Sequence, residues 1–219
     1  MKKNIVKLGL VYIFTVLLCT KIYSNEQNNL ITEIRNLLEY SNTVDTSIKS
    51  YYSKNFYQPF WHNNKTKTNE FLNLLKNAYK EGIPVSRYGL NDIEKLTSST
   101  DFDDLAKLEV ILTEKFLLFS QDLSVGIVDP LSLSSFIDIK REKPSSEFFL
   151  NGLNDDININ NFFENLRPKN LDYIKLKKEL ANLKEIKSKN IKITFVPNDI
   201  ILEVGMSHPN VISLRQRLF

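Results

Sequence analysis

Apolar residues along this chain recur mostly at three- and four-residue intervals, the pattern of helices that bury one face. Leu30, Ile34, Leu37 and Leu38 keep that spacing with Asn28, Glu33, Arg35 and Asn36 between them, which predicts a helix over residues 27–40. A second helix is predicted near 68–80, with Phe71, Leu74, Leu75 and Ala78 inward, ending where Gly82 and Pro84 stop it. Asn91 and Glu94 have capping-box spacing and predict a short third helix. The clearest stretch is 104–123. There Leu105, Leu108, Leu112, Phe116, Phe119 and Leu123 form one stripe, widened by Ile111, Leu117 and Leu118, while Lys107, Glu109 and Glu114 are read as lying off it. This helix is expected to be central to the core, and Gly126 and Pro130 supply the turn after it.

Two short helices are expected within 144–165, around Phe148, Phe149, Leu150, Phe162 and Phe163. Asn170 is placed to cap a further helix carrying Tyr173, Leu176, Leu180, Leu183 and Ile186. The period then changes: Ile191, Ile193 and Phe195 alternate with Lys192 and Thr194, as in a strand, which needs a partner expected at 200–204. Val211, Leu214 and Leu218 return to helical spacing in 209–219. The expected fold is mainly α: an irregular multi-helix domain over 25–190, then a short β segment near the C-terminus and a final helix in 191–219.

The N-terminal stretch changes the charge picture. Residues 1–24 hold Lys2, Lys3, Lys7 and Lys21 and no acid, and a charge-free run of 13 residues extends from Leu8 to Thr20. That is the layout of a secretory signal, too short for a comfortable membrane span. Export to the periplasm or cell envelope with cleavage after Ser24 is expected, an uncleaved membrane anchor being the alternative. Without those four lysines, 25 of the 29 basic residues face 26 acidic ones. Nucleic-acid binding loses its electrostatic footprint. Cys19, the single cysteine, lies in the same stretch, so residues 25–219 hold no disulfide, thiolate nucleophile or thiolate-bound metal.

Candidate chemistry in the body is sparse. His62 and His208 are far apart and outside any zinc-helix spacing, and no serine elbow or glycine-rich phosphate loop occurs. No catalytic, cofactor or metal residue is assigned. Asp101, Asp103 and Asp104 read as a helix cap with favourable charge at its positive end. Tyr51, Tyr52, Phe56, Tyr57, Phe60 and Trp61 form the densest aromatic segment. Most of the set is expected in the core. Tyr57, Trp61 and His62 are the candidates for contact with a glycan or a protein partner, with Trp61 the expected exception to burial.

Five blocks in order carry a resemblance. They are Phe56-Tyr57-Gln58-Pro59-Phe60-Trp61; Ala78 through Glu81-Gly82-Ile83 to Tyr88-Gly89-Leu90; Leu108 to Pro130 with Leu112-Thr113, Phe116 and Asp122-Leu123; Leu166-Arg167-Pro168 with Tyr173, Leu176 and Leu180; and Val204 to Val211 with Leu214-Arg215-Gln216-Arg217-Leu218. Together they resemble the large periplasmic L,D-transpeptidases of the YcbB type, from the start of the scaffold domain to the opening of the peptidoglycan-binding-like insert. In that family a cysteine attacks the tetrapeptide stem and a histidine acts as base, in a catalytic domain beyond these blocks. With no cysteine in 25–219, no residue here inherits that role. The resemblance implies a non-catalytic scaffold linked to murein cross-linking, truncated or split from its catalytic domain. Its partners would be peptidoglycan or a separately encoded catalytic domain. The alternative is an independent helical adaptor of the cell envelope that recognises glycan or protein.

Overall fold

The structure, a computed structural model, describes residues 26–133, 142–189, 195–196 and 201–218. The elements in order are α1 (26–40), α2 (Thr46–Lys54), α3 (Phe60–Asn63), α4 (Lys65–Lys76), two 3₁₀ turns (Ala78–Glu81 and Val85–Tyr88), α5 (Leu90–Thr97), α6 (Phe102–Ser124), α7 (Pro130–Leu133), α8 (Ser146–Asn151), α9 (Ile159–Leu166), α10 (Leu171–Ser188) and α11 (Pro209–Leu218). The chain divides into two compact units, with the boundary between Asn170 and Leu171.

In the first unit, α6 is the axis, packed by α2, α3, α5, α8 and α9. Asp101 starts it by accepting the backbone N–H groups of Asp103 and Asp104, and Lys107 pairs with both of those acids, so the acidic cluster is a cap. Asp45, Ser145 and Asn158 cap α2, α8 and α9 in the same way. Gly82, in the left-handed region at φ 79°, ends the turn after α4 as expected. The third predicted helix is corrected at its start. Gly89 precedes α5, no side chain caps it, and Glu94 pairs with Lys76 across to α4 instead of reaching back to Asn91.

The core is aromatic. Trp61 stacks on Phe71 at 5.1 Å, Phe71 stacks on Phe163 at 5.6 Å, and Phe163 meets Phe119, which contacts Tyr88 edge-on. All five rings are almost fully buried, so they contribute apolar area as well as geometry.

In the second unit, α10 begins directly after Asn170, and none of its residues is buried; Leu171, Ile174, Leu176, Leu183 and Ile186 are exposed. In α11 only Asn210 is buried. No strand occurs among the described residues. The predicted strand at 191–195 falls outside them up to Thr194. Its expected partner, described from Ile201, is loop and turn, with Met206 N–H donating to the Glu203 carbonyl around Gly205 at φ 88°. No helix of the described residues is long and apolar enough to cross a membrane.

Candidate functional site

The polar centre of the first unit is Glu109, read from the sequence as lying off the apolar stripe and found almost fully buried. The correction has a physical basis. The short helix α3 begins after Pro59, which carries no capping group, so its first N–H donors need an acceptor from elsewhere. Glu109 supplies it from α6. Trp61 N–H donates to Oε2 at 3.1 Å, His62 N–H donates to Oε1, and the Phe60 N–H reaches the same carboxylate. The Tyr52 hydroxyl lies 3.1 Å from Oε2 and 2.8 Å from Thr113 Oγ1. Trp61 Nε1 donates to Thr113 at 3.0 Å, and the Thr68 hydroxyl donates to the Trp61 carbonyl at 2.7 Å.

Among the described residues no cation pairs with Glu109. Burial pushes its carboxyl up to about 7, partly offset by the N–H and hydroxyl donors. The Tyr52 hydroxyl is held well above the usual phenol range, by burial first and then by the nearby carboxylate.

A second lock sits at the other end of α6. Asp122 accepts Arg87 Nε at 2.7 Å and Nη2 at 3.0 Å, and the Tyr88 hydroxyl at 2.9 Å. A third joins distant stretches of chain: Arg167 Nε donates to Glu81 at 2.9 Å, both side chains largely buried, and Arg167 also pairs with Glu164. These locks bind together the blocks singled out in the sequence. Trp61 of the first block bonds Thr113 of the third, Arg87 and Tyr88 beside Gly89 bond Asp122 of the third, and Glu81 of the second bonds Arg167 of the fourth.

The candidate contact residues separate. Trp61, expected to be exposed, lies in the core with 1% of its surface accessible, because its ring fills the space between Phe60, Phe71 and Phe116 and its N–H is taken by Thr113. Its ring is therefore no open stacking platform. Tyr57 is half-buried under the Arg35 guanidinium, 4.9 Å from the ring centre. His62 is half-buried and lines a cleft of about 410 Å³ with Leu30, Leu72, Phe102 and Leu105; its Nδ1 has no hydrogen-bond partner among the described residues. Burial, then Lys65, holds its imidazole below the usual histidine range, against a smaller pull from Glu26. The exposed aromatic of the segment is Phe56, with 79% of its surface accessible. Phe56 and Tyr57 both adopt left-handed backbone, φ 53° and 57°. Sequence reasoning missed this, because glycine or asparagine is the signal for such positions.

Searches among curated proteins and among solved structures returned no match to this chain. The model of a family described as Scaffold domain matches residues 46–180, a span that holds all three locks and the whole of α6. With more than half of its length inside that match, the chain belongs to the Scaffold domain family, as expected for a scaffold of the L,D-transpeptidase type.

Proposed function

We propose that this chain is the non-catalytic scaffold portion of an L,D-transpeptidase-like protein of the YcbB type, exported by its N-terminal signal and acting in the envelope on peptidoglycan cross-linking or remodelling. Catalysis then belongs to a domain outside these residues, encoded in continuity or separately. The observation that carries the reading is the use of the family-like residues. Trp61 bonds Thr113, Arg87 and Tyr88 bond Asp122, and Arg167 bonds Glu81, all inside the span that the family match covers. Their side chains are occupied in holding helices together, which is the work of a scaffold and leaves none of them poised on a substrate.

The test is a paired assay of the purified 219-residue chain. Mixed with insoluble peptidoglycan it is expected to co-sediment, and incubated with tetrapeptide muropeptides it is expected to yield no cross-linked product above a protein-free control. Failure to sediment removes the peptidoglycan link. Cross-linking that persists through repurification removes the non-catalytic assignment.

A further inference from the structure

Beside Phe56 the surface forms a groove between the end of α2 and the loop after α8. It consists of two adjoining depressions of about 510 and 370 Å³ that share Tyr51, Lys54, Asn55, Leu153 and Asn154. Its floor is fixed: the Tyr51 hydroxyl donates to the Leu153 carbonyl at 2.9 Å. Gly152, just before, lets the loop approach closely, since a Cβ there would lie 2.5 Å from the Phe162 ring.

The lining has a consistent chemistry. Asn63, Asn151 and Ser50 line it with side chains that make no hydrogen bond among the described residues. Asn55 spends its amide on the Tyr51 carbonyl and keeps its side-chain oxygen as an acceptor. The charges nearly cancel, because Lys54 pairs with Glu147 at 2.8 Å and Asp155 is the remaining carboxylate. The lining residues offer no cationic surplus for a phosphate, and the described residues no strand edge for a peptide backbone. Amide side chains present a donor and an acceptor on one plane, the pair that matches neighbouring hydroxyls or an acetamido group. A ring such as Phe56 offers a flat face to the axial C–H groups of a pyranose.

Phe56 adds a second, independent observation. A large aromatic residue held in left-handed backbone is disfavoured relative to ordinary conformations. Here that conformation is fixed by the Phe56 N–H on the Ser53 carbonyl at 3.2 Å and the Tyr57 N–H on the Tyr52 carbonyl at 2.7 Å, and it leaves the ring in solvent at the rim of the groove.

We propose that this groove binds an oligosaccharide strand bearing N-acetyl groups, with the Phe56 ring under one sugar and the Asn63 and Asn151 amides on its polar substituents. The choice of sugar rests on the peptidoglycan reading above. The probe is the β-1,4-linked tetramer of N-acetylglucosamine, titrated calorimetrically into the purified 219-residue chain. The glucose tetramer of the same linkage serves as the comparison.

The acetylated tetramer is expected to bind, and the glucose tetramer to bind several-fold more weakly. Phe56→Ala should weaken binding about tenfold, the loss of one stacked ring, and Phe56→Trp should restore it. Asn151→Ala should weaken it about threefold to tenfold. Tyr40→Ala, which removes an equally exposed aromatic outside the groove, should leave it unchanged. Matching thermal melts of all variants exclude unfolding as the cause. Absence of tetramer binding to the wild-type chain, or equal binding by Phe56→Ala, overturns the groove assignment. If the chain still sediments with peptidoglycan in that case, the scaffold reading stands without the groove. If neither occurs, the peptidoglycan reading has failed first.

Discussion

The two ends of α6 each bury a carboxylate and neutralise it differently. At the Asp122 end a guanidinium does the work, and the Arg87 side chain remains 41% exposed, so the cation keeps part of its hydration while it holds the pair. At the Glu109 end no cation pairs with the carboxylate among the described residues; backbone N–H groups at the start of α3 and the Tyr52 hydroxyl take its place. A helix start concentrates unpaired donors and the positive end of its dipole, and so can stand in for a counter-ion. The difference is one of dependence. Arg87 can turn to water if Asp122 is lost, whereas the α3 donors have Glu109 as their acceptor among the described residues.

That contrast is open to direct attack. Glu109→Ala should be the most damaging change, about 3–5 kcal/mol, because it strands buried donors and leaves a void; chemical denaturation against wild type measures it. A loss below about 1 kcal/mol would mean that α3 re-caps itself and that the helix start is no counter-ion. Next in size is a pH effect. Glu109 holds its proton more tightly in the fold, to about pH 7, than an unfolded carboxyl does. Its stabilising contribution is therefore complete below the unfolded value of about 4.3 and is lost as pH rises through 7, in total on the order of 3 kcal/mol. The melting temperature of wild type relative to Glu109→Gln should accordingly fall by several degrees between pH 5 and pH 8. A flat difference would show that the donors keep the carboxylate charged throughout. The smallest effect should be Asp122→Ala, about 1–3 kcal/mol, chiefly from the stranded Tyr88 hydroxyl, and Tyr88→Phe made in the same background should recover part of it. Should Asp122→Ala match Glu109→Ala in cost, exposure of the cation is not what separates the two ends.

Much of the helical frame was legible in the sequence, and the gaps have identifiable causes. Residues 26–40 and α6 announce themselves because their apolar residues repeat over several turns. By contrast, α2 is anchored by just Ile48 and Tyr52, too few for a period. Glu109 was legible in hindsight: Leu105, Glu109, Leu112, Phe116, Phe119 and Leu123 keep a 4-3-4-3-4 spacing, with the carboxylate at a core position and Leu108 only partly buried. Its partner, the N–H row after Pro59, lies nearly fifty residues away, and no local rule connects the two. The groove was illegible for a different reason. It depends on the left-handed turn at Phe56 and on the fold bringing α2 beside the loop after α8, neither of which composition or period encodes.

The sequence has a single tryptophan, Trp61, and its indole N–H ends on Thr113 while its face lies against Phe71. The molecule therefore has a built-in optical reporter at the junction of three helices, with Tyr52 in the same hydrogen-bonded cluster as an energy donor. Its emission should sit on the blue side of that of a hydrated indole and move to the red only when α3 detaches from α6. Local opening of that one joint can thus be followed without a label and told apart from loosening of α10 or α11, which have no tryptophan to report it.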